Sequence, residues 1–406
     1  MTQAQLAELS RILYSPVTLA LYVTAAIVLL GALTQNVGQH GAAKGARGLF
    51  TQRVGLAVAW TGVLTHVAHE VVRGLAQQRF PLGNMFEVTS LMALVGVAGG
   101  LWYVRSRRRD ELAGFVMLGG TLVLGLALLM YAEPGPLMPI LDTWWRHFHV
   151  SLLVGGMGVF AAGFLFTSLY LLADTARGED GRGPGSGAGG GAGGGVVGRV
   201  HGPDGPESSL RGDVGADGAG GAEGVQSEGA VLVAPAVLTP AELRARIPAL
   251  KLAVGTFLGT SSVSWVWAVA MESTVDGVRR MLTVSLTMVV AALIARHFTP
   301  YLPSTDVLDS VAHRLTAFAF VLWTVGTIAG AMWAEQSWGR FWGWDPKETG
   351  AFLTWIAYAG YLHGRATRGV RGRSAAWIGV GAFVTLMATY LIANYVIVGL
   401  HSYAGL

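Results

Sequence analysis

The sequence predicts an all-α protein, a polytopic transmembrane helix bundle with about ten spanning helices, on three observations. Of the 406 residues, 52% are hydrophobic and 13% are charged, and the mean hydropathy is positive. These values are typical of membrane proteins with several spans. Apolar runs of spanning length recur along the chain, and basic residues concentrate in alternate loops. The net charge of +4 lies mostly in those loops, which indicates membrane topology and argues against a nucleic-acid surface.

The apolar runs justify the helices one by one. A helix needs roughly 20 residues to cross the hydrocarbon of a bilayer, and somewhat shorter spans occur. Runs that meet this requirement cover residues 17–33, 54–72, 87–104, 112–131, 149–173, 251–271, 281–297, 314–333, 349–364 and 375–399.

The basic residues predict the orientation of these helices in a plasma membrane. The loops rich in them contain Lys44, Arg47, Arg53, Arg105, Arg107, Arg108, Arg109, Arg365, Arg368, Arg371 and Arg373. The opposite loops contain only scattered basic residues. Because basic loops stay on the cytoplasmic side, both termini are expected on the outer face.

Composition along the chain suggests four parts. Residues 1–175 are expected to form N-terminal membrane helices, and residues 176–240 a disordered, glycine-rich cytoplasmic linker that buries too little apolar surface to fold. Residues 241–300 are expected to form an additional apolar hairpin, and residues 301–406 the C-terminal membrane helices. There are no cysteines, so any thiol chemistry must use the sulfur of another molecule.

Trp338–Glu348, which reads WGRFWGWDPKE, is the most unusual stretch, and Trp333 and Trp355 flank it. Tryptophan commonly lies at the lipid–water boundary, and a boundary role accounts for some of these rings. It does not account for Gly339 and Gly343, which would let the backbone approach a ligand closely. We interpret the stretch as a platform for a large planar molecule on the outer face.

Two histidines are predicted on the same face. His149 begins the fifth run after two tryptophans, and His401 follows the last run. Two neutral imidazoles beside an aromatic platform are what a six-coordinate haem requires. Each histidine alone could instead be an interfacial residue bonded to a carbonyl. His147 competes with His149, but residues two apart on a helix point to different sides.

Three further histidines lie within predicted spans. These are His66 and His69 in the second and His363 in the ninth. An ionisable side chain in a membrane indicates a functional site by default. His66 and His363 are candidates for a second haem site between helices, with His69 as a rival to His66. Hydrogen bonding to a neighbouring helix is the alternative explanation.

Several segments resemble a known family. LDSVAHRLTAFAF from Leu308, WAEQSWGRFWGWDPKETGAFLTWIAYAGYLHGR and the terminal GLHSYAGL resemble the CcsA/ResC-type proteins of System II cytochrome c biogenesis, part of the WWD haem-handling superfamily. FPLGNMFEVTS from Phe80 and HFHVSLL also resemble family segments. The resemblance covers most of 54–173 and 306–406, whereas the long linker and the run pair 251–297 depart from it.

The resemblance implies transport of haem b across the membrane and its attachment to the CxxCH motif of apocytochrome c. It implies a ResB-type partner, thiol-reducing proteins that keep the CxxCH cysteines reduced, and contact with membrane lipid but not with nucleic acid. By position, His149 and His401 match the external iron ligands, and His363 and approximately His66 match the membrane ligands. The haem-contacting motif corresponds to Trp338, Trp342, Trp344 and Asp345.

The charged residues of the motif have their own expected roles. Arg340 or Lys347 could pair with haem propionates, because charge-assisted hydrogen bonds favour such pairs. Asp345 is expected to cap the helix that starts at Pro346, with Glu348 completing the cap.

The sequence is compatible with two other classes of function. A b-type electron-transfer subunit would also use paired membrane histidines, but it needs no external tryptophan platform. A membrane glycosyltransferase would need a divalent-metal site, and the sequence shows no clustering of external carboxylates.

Overall fold

The structure is a computed structural model that describes residues 1–37, 46–135, 143–178, 238–270, 273–397 and 399–400. Within these ranges the chain forms α-helices with short π and 3₁₀ segments, and no β-strand. The helices, in chain order, are α1 (Gln3–Ile12), α2 (Leu19–Val37), α3 (Ala46–Gln77), α4 (Met85–Ser106), α5 (Ala113–Leu128), α6 (Trp144–Arg177), α7 (Pro240–Ala245), α8 (Ala249–Ser264), α9 (Val266–Ala270), α10 (Thr274–Phe298), α11 (Thr305–Trp338), α12 (Pro346–Thr367) and α13 (Gly372–Tyr395).

The predicted fold class, a polytopic helical bundle, is confirmed. In the described part of the chain, eight helical segments are long and apolar enough to cross a membrane. They include Ala249–Ala270 and Thr274–Tyr301, which cover the sixth and seventh predicted runs. The two remaining predicted runs, 54–72 and 349–364, lie within α3 and α12, which are 32 and 22 residues long.

The packing between helices uses small residues at close approaches. α6 lies against α11 and α4, α2 lies against α3, and α12 lies against α13. A methyl group on Gly158 of α6 would lie 2.6 Å from the backbone oxygen of Met92 on α4, and one on Gly156 would lie 3.3 Å from the backbone nitrogen of Trp323 on α11. Such glycines let membrane helices approach closely, since lipid supplies no hydrophobic drive between helices.

The bundle has two chemically distinct ends. The end that carries the connection 339–345 between α11 and α12 is called the Trp end. The opposite end, called the Arg end, holds the ion pair of Arg365 with Asp309 at 2.7 Å and that of Arg373 with Asp174 at 3.4 Å. At the same end, Arg177 donates to the carbonyl of Pro303 at 2.9 Å.

The described helices belong to one compact unit, Met1–Gly178 with Pro240–Leu406. The predicted linker, 176–240, falls almost entirely outside the described residues, although α6 continues through Arg177. In the 241–300 region, α8 and α10 are in contact, and the hydroxyls of Ser261 and Ser285 lie 2.9 Å apart. The four-part division of the chain stays a prediction.

Candidate functional site

The connection between α11 and α12 is shaped by its own sequence. α11 ends at Trp338, where Gly339 takes a left-handed conformation with φ of 68° and donates its N–H to the carbonyl of Glu335 at 2.8 Å. Glycine adopts this conformation without the steric cost that a side chain brings. α12 then begins at Pro346, where the missing N–H costs nothing. The seven residues 339–345 therefore form a short, fixed turn at the Trp end.

The carboxylates of Asp345 and Glu348 hold this turn in place. Asp345 caps α12 and accepts from the N–H of Lys347 at 3.3 Å, and Glu348 accepts from the N–H groups of Gly343 at 2.8 Å and Asp345 at 3.2 Å. This is the capping box that the sequence predicts. Arg340 lies across Gly343, with its guanidinium 3.7 Å from Glu348.

The aromatic side chains of the connection and of the adjoining ends of α11 and α12 include two groups of rings in contact. Trp342, Trp344 and Phe352 contact one another edge to face, with ring centroids 5.9 to 6.3 Å apart. Trp344 is 65% exposed and has a positive φ of 58°, a conformation that a bulky residue adopts rarely. Trp333 and Trp338 form the second group, with centroids 5.0 Å apart.

His149 joins the second group. Its ring stacks on buried Trp333 with a centroid distance of 6.0 Å and an interplanar angle of 21°. Its Nδ1 lies 2.7 Å from the carbonyl of Gly326, so Nδ1 carries the proton and the lone pair is on Nε2. The ring occupies the space beside Gly330, where a methyl group would lie 2.5 Å from its Cε1. A backbone carbonyl that fixes the tautomer in this way is the usual partner of a metal-ligating imidazole.

His147, the predicted rival of His149, is held differently. Its Nδ1 lies 2.8 Å from the carbonyl of Thr143, and its Nε2 lies 3.1 Å from a guanidinium nitrogen of Arg146. Both ring nitrogens are therefore occupied within the first turn of α6. Of the two histidines, His149 is the one that the structure places against a tryptophan of α11.

Residues 399–400 reach the same end of the bundle. The N–H of Leu400 donates to Asp345 Oδ1 at 2.6 Å, and Gly399 packs on Asp345 and Pro346. His401 itself lies outside the described residues. The described chain therefore stops one residue before His401, at the cap of α12.

The two basic residues of the motif differ in environment. The side chain of Arg340 is one-third exposed. Lys347 precedes the apolar run of α12, and its burial lowers the pKa of its ammonium group to about 8. The planar guanidinium of Arg340 can bond to both oxygens of a carboxylate at once, which suits it better than an ammonium group to pairing with a propionate.

His66 is completely buried in a hydrogen-bonded chain that joins α2, α3 and α4. Its Nδ1 lies 3.1 Å from the hydroxyl of Tyr22 and its Nε2 lies 3.0 Å from the hydroxyl of Ser90, which donates to Glu70 at 2.6 Å. Coordination of iron by His66 would break one of these bonds.

His69 and His363 have other surroundings. The Nδ1 of His69 bonds to Ser10, and among the described residues its buried Nε2 has no hydrogen-bond partner. His363 is exposed on α12, whose main neighbours are α11 and α13, whereas His66 lies among α2, α3 and α4. Pairing of His66 with His363 stays a prediction.

Sequence reasoning gave no role to Glu87 and the arginines around it. Glu87 is fully buried and bonds to Arg73 and Arg79 at 3.0 and 2.9 Å. A signal was present: Asn84 stands three residues before Glu87, and the N–H of Glu87 donates to the Asn84 side chain at 3.0 Å as in a helix cap.

Comparison with known proteins extends the resemblance. Residues 56–401 match the family described as Cytochrome C assembly protein. The cytochrome c biogenesis protein CcsA of Gloeobacter violaceus is 48% identical over 101 residues, which cover 25% of this chain and 30% of the relative. That of Microcystis aeruginosa is 41% identical over 133 residues, which cover 33% of this chain and 39% of the relative.

The aligned part of the chain spans only about a third of the length of these curated relatives. The family match is broader, because it takes in most of the described helices together with the connection between α11 and α12. The chain thus belongs to the cytochrome c assembly protein family, as a protein of the CcsA type.

Proposed function

We propose that this protein carries haem b across the membrane and presents it at the Trp end for covalent attachment to the CxxCH motif of apocytochrome c. The observation that carries the proposal is the position of His149. Its imidazole is fixed by the carbonyl of Gly326 and stacked on Trp333, at the end of the bundle that also holds Trp342 and Trp344. The relatives named cytochrome c biogenesis protein CcsA support the same assignment.

The residues at the Trp end fit a haem substrate. The Nε2 lone pair of His149 is a suitable axial donor, and His401, which follows the tethered Leu400, is proposed as the other. Trp338, Trp342 and Trp344 offer apolar faces and edges to a porphyrin, and Arg340 or Lys347 could pair with its propionates. Asp345 acts by holding the turn and the C-terminal residues together.

Attachment of haem to the CxxCH cysteines requires the protein to bind the haem and to orient it. Each cysteine S–H adds across one haem vinyl group: the sulfur bonds to one carbon, the hydrogen to the other, and nothing leaves. The protein must therefore hold the iron and keep the vinyl edges open to the substrate thiols. His149 and His401 perform the first task, and the exposed ring of Trp344 lies on a side of the Trp end that a substrate can reach.

The route to the Trp end involves the membrane histidines and the partners. We propose that His66 and His363 bind haem in transit; for His66 this requires release of Tyr22 or Ser90. A ResB-type partner, thiol-reducing proteins and membrane lipid complete the system. The Trp end faces outwards from the plasma membrane, as the distribution of basic residues predicts.

The test is the visible spectrum of the full-length protein purified with its membrane partners from haem-replete cells. The His149→Ala variant should lose most of the haem and the low-spin bis-imidazole spectrum, since an axial ligand is gone. The matched control is His147→Ala, two residues away with both ring nitrogens bonded inside α6, which should retain both. A wild type without haem, or equal spectra for the two variants, would refute the proposal.

A further inference from the structure

A buried carboxylate on α4, near the Trp end, accepts hydrogen bonds from α3 and from the loop between α3 and α4. Glu87, in the first turn of α4, is completely buried. Its oxygens accept from Arg73 Nε of α3 at 3.0 Å and from Arg79 Nη1 at 2.9 Å. They also accept from the backbone N–H of Gly83 at 2.7 Å and the side-chain amide of Asn84 at 3.1 Å. Residues 78–84, which join α3 to α4, are called the connector.

The two arginines extend this network beyond α4. Arg73 also donates to the carbonyl of Ala132 at 2.7 Å, and Arg79 also donates to that of Gly135 at 3.1 Å. Their side chains are 1% and 12% exposed. Guanidinium groups so poorly solvated need a nearby anion, and Glu87 is the carboxylate that bonds to both. The carboxylate therefore holds the connector and the segment after α5 in one arrangement.

The connector is joined in turn to the helix that carries His149. Arg146, in the first turn of α6 and 3% exposed, donates to the carbonyl of Leu82 at 3.0 Å. Leu82 directly precedes Gly83, whose N–H is bonded to Glu87. His149 lies three residues after Arg146, close to one helical turn further on. A continuous set of hydrogen bonds thus runs from Glu87 through the connector to the turn of α6 beside His149.

We propose that Glu87 is a positioning residue for His149. The imidazole must meet the carbonyl of Gly326, the ring of Trp333 and the space beside Gly330 at once, so a small shift of α6 would misplace its Nε2. The network anchored on Glu87 sets where α6 begins relative to α3 and α4. Glu87 touches neither iron nor thiol, and the inference rests on the proposed binding of haem at His149.

The experiment compares haem retention in Glu87→Gln, His149→Ala and the double variant, each as full-length protein with its partners. Glu87→Gln keeps the volume but removes the charge, and we expect haem retention to fall about tenfold, as for substitutions that orient a metal ligand. Because Glu87 acts through His149, the double variant should lose no more haem than His149→Ala alone. A role in stability alone would instead give additive losses.

Asp309→Asn is the matched control. It neutralises a carboxylate bonded to Arg365 at 2.7 Å at the Arg end, far along α11 from Trp333, and should leave the haem spectrum unchanged. If Glu87→Gln does not accumulate, Arg146→Gln removes the guanidinium that joins α6 to the connector and should lower retention in the same non-additive way.

The outcomes separate the two proposals. If His149→Ala retains wild-type haem, the proposed function fails and this inference falls with it. If His149→Ala loses haem but Glu87→Gln and Arg146→Gln retain it, the inference alone is wrong. Additive losses in the double variant, or an equal loss from Asp309→Asn, would also overturn it.

Discussion

His149 and His66 are both imidazoles in membrane helices, and their surroundings are opposite. His149 is bonded through one nitrogen to a backbone carbonyl and stacked on an indole at the Trp end. His66 is wholly buried, with side-chain hydroxyls at both nitrogens. In lipid an unpaired polar group is costly, so a neighbouring helix often supplies the partner. Haem binding by His66 would thus require the release of one of its two hydrogen bonds.

The largest expected effect is that substitution of His66 mainly lowers stability, whereas substitution of His149 mainly lowers haem content. His66→Leu removes two hydrogen bonds within the bundle and should lower the free energy of unfolding by about 1–3 kcal/mol, since bonds between membrane helices contribute roughly 0.6–1.7 kcal/mol each. His149→Leu should change stability less and remove haem more completely. Denaturant titration in detergent and the haem spectrum measure the two effects. Equal losses of stability in the two variants would contradict the contrast between His66 and His149.

The second effect tests the space that holds the His149 ring. Gly330→Ala places a methyl group 2.5 Å from His149 Cε1 and must displace the ring. We expect haem retention to fall about tenfold, which corresponds to about 1.4 kcal/mol of lost binding free energy. Gly360→Ala is the control, because a methyl group there meets nothing within 4 Å. Titration of haem into both purified variants gives the affinities, and an unchanged affinity for Gly330→Ala would contradict the geometry.

These two sites also show how far the sequence alone reaches. The lengths of the apolar runs predicted the helices, and the Asp345–Glu348 spacing predicted the cap of α12, because both depend on neighbours in the chain. The pairing of His149 with the carbonyl of Gly326 joins residues 177 positions apart, so no local pattern reveals it. The hydrogen bonds at both ring nitrogens of His66 likewise depend on which faces of α2 and α4 meet α3.

The third effect concerns the cap of α12, where Asp345 also bonds to Leu400. Asp345→Ala removes the acceptor of Leu400 N–H and the cap of α12, and should cost about 1 kcal/mol of stability. Haem retention should also fall, because His401 follows the released residue. Asp345→Asn keeps one of the two acceptor oxygens, so it can preserve the cap of α12 or the bond to Leu400 but not both, and it should fall between wild type and Asp345→Ala. Thermal unfolding and haem content measured on both variants would show whether the tether matters; equal behaviour would exclude it.

The smallest effect is a pH dependence at Lys347, a residue next to the cap and outside the apolar run. Burial lowers the pKa of its ammonium group to about 8 in the folded protein, whereas the unfolded chain keeps the ordinary value near 10.4. Between these two values the unfolded state binds more protons, so this group makes the folded state more stable as the pH rises through that window.

Lys347→Met removes the titrating group and should flatten the rise. The measurement is the unfolding temperature of wild type and variant in steps from about pH 7.5 to 10.5, where the two curves should diverge. Parallel curves would show that Lys347 keeps its charge in the folded protein, and it would then rank beside Arg340 as a partner for propionates.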